Sequence, residues 1–141
     1  MEAVECGAVA LGIVLAHHGR VVPLAELRRE CGVSRDGCNA LNVVRAARRY
    51  GLDAKGFSME VEDLRQLALP AIVFWDFNHF VVVEGFSKKG VWINDPAMGH
   101  RRVDDEEFGD SFTGLVLVME PGPEFVRGGR RPSLARALFT R

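Results

Sequence analysis

This sequence has no apolar run long enough to cross a bilayer: the longest, such as Ala8 to Ala16 with Gly12 inside it, fall well short of the roughly 20 residues a spanning helix needs. It also lacks a secretory start. Acidic Glu2 and Glu5 stand where such a signal carries its basic residues, and no small-residue cleavage site follows an apolar segment. Cysteine is scarce: Cys6, Cys31 and Cys38 cannot all pair among themselves, so the thiols of a chain expected in the cytosol are read as reduced. Neither charge is in excess, with 18 Lys and Arg against 19 Asp and Glu, and the aromatic residues alternate with aliphatic rather than basic ones. That pattern offers no nucleic-acid face. Internal repeats are absent, and so are low-complexity tracts ahead of the tail.

What is there suits one domain with a sizeable core and a tail, since 141 residues are too few for two comfortable domains. From Cys6 to His18 the residues Val9, Ala10, Ile13, Val14 and Ala16 repeat at helical spacing, and Gly19 supplies a left-handed stop. Leu24 and Leu27 with the charges from Glu26 to Glu30 predict a short second helix, entered through Pro23 and closed near Gly32. Asn39 to Tyr50 predicts a third, apolar at Leu41, Val43, Val44 and Ala47, basic at Arg45, Arg48 and Arg49, and ended by Gly51. The rear half changes character. Ala71–Trp75, Phe80–Gly85, Gly90–Asn94 and Leu115–Met119 are β-branched or aromatic runs cut by turn residues, and Ser87–Gly90 suits a hairpin connection. Short helices are predicted from Val61 to Leu67, before Pro70, and after a cap at Asp104 through Glu107 and Phe108. Helices first and then a largely antiparallel sheet make an α+β layout. Residues 1–120 form the predicted domain. Residues 121–141, with Pro121-Gly122-Pro123 and Gly128-Gly129-Arg130-Arg131-Pro132, read as a linker into a following segment.

Three residues stand out chemically. Cys6 opens the first helix, where unpaired backbone N–H groups and the positive dipole end favour thiolate over thiol, and Gly7 beside it permits close approach by a substrate backbone. A lone Cys is ordinarily a small core residue; it is the later His that makes a nucleophile of it. His79 enters a hydrophobic strand, so its ring can lie at a sheet edge with one nitrogen open to act as a base. The other histidines read as structural: His17 and His18 in the last helical turn, where cationic character complements the dipole, and His100 in a polar turn. Asp95 ends the next strand and can reach the ring of His79 to fix its tautomer, while also leading an Asx turn with Asn94 and Pro96. Asp76 is a competing acid, ranked below Asp95 because it is too near His79 in sequence to face the ring well. Cys31 and Cys38 lack the closely spaced partners of a zinc site and read as structural. The arginines at 28, 29, 45, 48 and 49 read as solvated helix faces, some of them able to meet an acidic peptide. A thiol at a helix start, a later His and a later acid follow the chain order of papain-like cysteine proteases.

Several motifs in order carry a more specific likeness: Glu5-Cys6-Gly7-Ala8, His18-Gly19-Arg20, Leu24-Ala25-Glu26-Leu27-Arg28, Cys31 to Gly37, Phe77-Asn78-His79-Phe80-Val81-Val82 and Asn94 to Gly99. Together they resemble the C39 peptidase domain of bacteriocin-exporting ABC transporters from Met1 to about Glu120. The resemblance implies a papain-like fold and cleavage of a precursor peptide after a double-glycine-type leader, coupled to export. Cys6 would be the nucleophile, His79 the base and acid, and Asp95 the orienting carboxylate. It implies transmembrane and ATP-binding partners, a place on the cytoplasmic side of the membrane, and no metal or organic cofactor for the proteolysis itself, ATP and magnesium belonging to a separate part. The tail is similar to the connector of exporters paired with nitrile-hydratase-like leader peptides.

The family also carries a Gln six residues before the nucleophile as an oxyanion donor, a place that here falls ahead of Met1. Loss of such a donor typically costs about 100- to 1,000-fold in turnover. A narrow slot is expected for the small residues of the cut site, with Phe74, Trp75, Phe77 and Phe80 as its possible lining. The upstream leader would dock as an amphipathic helix in an apolar groove. Two further readings stay open. The same fold could bind a leader without cutting it, or serve as a transferase or amidase on another acyl substrate.

Overall fold

A computed structural model describes residues 5–32 and 39–129. Three helices come first: α1 (Cys6–His17), α2 (Leu24–Glu30) and α3 (Ala40–Arg49). The strands are β1 (Leu52–Ser58), β2 (Ala71–Trp75), β3 (His79–Phe86), β4 (Gly90–Asp95), β5 (Gly99–Asp104) and β6 (Phe112–Pro121). Short α4 (Val61–Leu64) lies between β1 and β2, and α5 (Asp105–Ser111) between β5 and β6. The strands form one six-stranded sheet in the order β1-β6-β2-β3-β4-β5, antiparallel in every pairing between neighbours. This is the α+β, papain-like arrangement expected, with each predicted helix and strand found within a few residues of its predicted span.

Alternation along the strands sorts the core into two layers. Ile72, Phe80, Val82, Leu117 and Met119 point toward the helices and join Ala10, Leu11, Val14 and Leu15 of α1 and Val43 and Ala47 of α3. Val73, Trp75, Val81, Val83, Ile93 and Val116 point the other way, onto Leu64 of α4 and Phe108 of α5. α1 is apolar nearly all round because it is sandwiched, with α2 and α3 outside it and β3 beneath. α3 is amphipathic and capped, its Asn39 side chain accepting the Asn42 N–H at 2.8 Å. Tyr50, at the end of α3, donates its hydroxyl to Glu26 at 2.6 Å and so ties α3 to α2.

Two strands escaped the sequence pattern. β1 buries only Leu52 and Ala54 and leaves Lys55, Gly56 and Phe57 exposed; pairing with β6 from Leu52↔Pro121 to Ser58↔Leu115 makes it a strand. β5 is a charged edge strand that buries only Val103, as edges that resist further pairing do. His100, expected in a turn, therefore sits within β5, with Nδ1 2.8 Å from a Glu84 carboxylate oxygen.

The helix-face arginines are exposed, as expected, and three of them also hold partners. Arg28 pairs with Glu5 at 2.7 Å, Arg49 pairs with Glu30, and Arg48 donates twice to the Ala54 carbonyl. Residues 122–129, read as linker, fold back onto the domain instead. Gly122 N–H donates to Gly51 C=O at 2.9 Å, Val21 N–H to Gly128 C=O at 2.8 Å, and Phe125 packs on the helical core. No described helix is long and apolar enough to cross a membrane.

Candidate active site

α1 begins at Cys6 without a side-chain cap from Glu5, whose carboxylate is drawn off to Arg28 of α2. The Cys6 side chain points inward, 6% exposed, toward the start of β3. There the Phe80 N–H donates to Cys6 Sγ at 3.2 Å. Phe80 follows His79 directly, so covalent geometry holds the His79 Cα within about 6 Å of that sulfur. Residues 74 positions apart in sequence thus meet where the helical layer rests on the sheet.

His79 opens β3 and Asp95 closes β4, and the antiparallel pairing of those strands puts both at one end of the sheet. His79 Nε2 lies 3.3 Å from Asp95 Oδ2, with the His side chain 20% exposed and the Asp 3%. Asp95 is held from its other oxygen as well, Oδ1 accepting the Ala97 N–H at 2.9 Å in the anticipated Asx turn. Burial with both oxygens engaged fixes the carboxylate in place. Asp76 does not compete, for its side chain is exposed and its backbone N–H is committed to Ser111 C=O at 2.8 Å.

Asn78 was not singled out by sequence reasoning. Its Oδ1 lies 2.8 Å from His79 Nδ1, so the ring is bracketed by oxygens on both sides. Immediate adjacency to His79 was the only signal for it. Among the four aromatic residues suggested as a slot lining, Trp75 is excluded: it is buried on the opposite face of the sheet, its ring 5.3 Å from Phe108. Phe80 is buried on the α1 face, Phe74 packs there half-buried, and Phe77 stands 77% exposed.

Cys31 is fully buried in the helical core, while Cys38 lies outside the described residues. His18 departs from its expected cationic role. Burial, then His17 and Arg127 nearby, hold its pKa below the usual 6.5 against an opposing pull from Glu120.

Helices packed on an antiparallel sheet, with a thiol at a helix start beside the strand ends that bear a His and an acid, define the papain-like class. Comparison with known proteins narrows it: the chain belongs to the Peptidase C39 family, whose model matches residues 1–124. It is 35% identical over 125 residues to the probable microcin-H47 secretion/processing ATP-binding protein MchF of Escherichia coli, covering 89% of this chain and 18% of that protein. It is 36% identical over 124 residues to the colicin V secretion/processing ATP-binding protein CvaB of the same species, covering 88% of this chain and again 18% of the relative. The chain therefore spans less than a fifth of the length of these curated relatives. Among solved structures, a double glycine motif protease from an AMS/PCAT transporter, crystallised with its leader peptide, superposes with a TM-score of 0.83 at 54% identity, over 86% of this chain and 87% of that one.

Proposed function

We propose that this chain is a cysteine endopeptidase that removes the leader from a precursor peptide by cutting after a double-glycine-type pair. In this reading it is the peptidase part of an ABC exporter, on the cytoplasmic side of the membrane, with ATP and magnesium handled by a separate part. The observation that carries it is the seating of the Cys6 sulfur on the Phe80 amide, one residue from an imidazole held by buried Asp95. The relatives named as processing and transport proteins, and the 54% identical protease crystallised with a leader, support the same substrate class.

The reaction follows from the roles of the three side chains. Asp95 holds Nε2 of His79, and Nδ1, which rests against Asn78 Oδ1 in the free site, takes the proton of Cys6 once it exchanges that contact for the thiol. The sulfur attacks the carbonyl carbon of the second small residue, and a C–S bond forms as the carbonyl π electrons move to oxygen. When the tetrahedral intermediate collapses, the C–N bond breaks and His79 gives its proton to the departing amine. Water then adds to the thioester, His79 takes a proton from it, and the leader acid leaves as the thiol is restored. Asp95 steadies the imidazolium in both halves. These steps call for no metal or organic cofactor.

The test is to incubate the chain with a double-glycine precursor, with and without a Gln added immediately ahead of Met1, and to weigh the products. Cleavage after the pair is expected, and Cys6→Ala should abolish it while preserving binding. Tight binding with no cleavage by either form would overturn the peptidase in favour of a leader-binding module. Capture of a thioester on a different acyl group would point to a transferase.

A further inference from the structure

β2 and β3 are joined through Asp76, Phe77 and Asn78, and the Asn78 N–H donates to Trp75 C=O at 3.1 Å. Both residues inside that hydrogen-bonded turn are left-handed, Asp76 at φ +52° and Phe77 at φ +56°. Two successive positive φ values mark a turn that favours Asp or Asn followed by Gly. Asp76 suits its place. Phe77 does not, because a bulky side chain in this conformation crowds its own backbone.

Among the described residues nothing repays that crowding. The Phe77 ring is 77% exposed, and its described ring contact is an edge-on approach to Phe74 at 6.3 Å between centroids. An apolar ring kept in water in a disfavoured conformation points to a use outside folding. Its surroundings say which. Phe74 leans on Phe80 at 5.1 Å, and the Phe80 amide carries the Cys6 sulfur, so the ring stands at the end of an aromatic row that starts at the thiol. It is also two residues from His79.

We propose that Phe77 is a specificity-determining residue, an aromatic wall on which the small residues at the leader's cut site lie. This rests on the peptidase reading above. Glycine exposes flat peptide faces and Cα–H groups that settle against an aromatic face, whereas a branched or long side chain at the same place collides with it. The turn fixes the ring's position, which a flexible loop would not do.

The experiment uses the leader peptide crystallised with the 54% identical protease, titrated onto Cys6→Ala and onto the double variant Cys6→Ala with Phe77→Gly, alongside thermal unfolding of each. Phe77→Gly relieves the crowding, so the unfolding midpoint should rise by about 2–5 °C. Leader affinity should fall by about tenfold or more. Phe77→Trp, which keeps an aromatic face, should bind within about threefold of the parent. A lower midpoint for Phe77→Gly would show that the turn needs the ring for folding and would overturn the inference. Unchanged affinity would overturn it too, leaving the peptidase reading intact. If Cys6→Ala fails to bind and the unsubstituted chain fails to cut, the peptidase reading falls and this inference with it.

Discussion

Asp95 is the residue whose surroundings are most fully specified, with one oxygen on His79 and the other on the turn that follows β4. If the chain is the peptidase proposed above, Asp95→Ala should lower single-turnover cleavage by about 100- to 10,000-fold, because the imidazole loses both its orientation and its counter-charge. Rapid-quench measurement with excess chain over peptide would register it. His18 gives a residue-scale prediction about stability. Its pKa is lowered in the fold, and its Nε2 is buried without a hydrogen-bond partner among the described residues. The unfolded chain therefore takes up a proton near pH 6.5 that the folded chain resists, so stability falls as pH drops through that region and rises again above it. His18→Gln should flatten that slope in unfolding midpoints recorded between about pH 5 and 7.

At the scale of elements, α5 depends on its first turn. Asp104 accepts the Glu107 N–H at 2.7 Å, and the helix it starts delivers Phe108 to the second core layer. Asp104→Ala should cost about 1 kcal/mol in denaturant unfolding. That cap was legible in the sequence, as were α1 and the strands built from β-branched runs, because one local rule sufficed for each. β1 and β5 were not legible, since Asp53, Lys55 and Gly56 in one and Arg101 and Arg102 in the other are extended only through pairing with β6 and β4. Cys6, His79 and Asp95 were nameable as candidates from residue type and order. The clamp of Asn78 on the ring and the seat of the thiol on a backbone amide were not, for both are products of tertiary approach.

For the whole molecule, residues 122–129 belong with the folded unit rather than with a free linker. Gly51, at φ +91°, turns the chain from α3 into β1, and a Cβ there would come within 2.7 Å of the Phe125 Cα. Composition rich in Pro and Gly suggested a linker, yet those residues here let one backbone pass close over another. Ending the chain after Pro121 should therefore lower unfolding free energy by about 2 kcal/mol, chiefly through loss of Phe125 from the helical core, a change that urea titration resolves.

The seam between helices and sheet has a consequence for how mutations act. Sulfur and imidazole are carried by separate layers, α1 and β3, which meet in one buried core that includes Ala10, Val14, Phe80 and Val82. Interiors are close-packed and transmit strain, so one methylene added or removed there is felt across the seam. On the peptidase reading, alignment of the reacting groups is thus inherited from interior volume, and variants remote from them should alter turnover while leaving every polar group of the site in place.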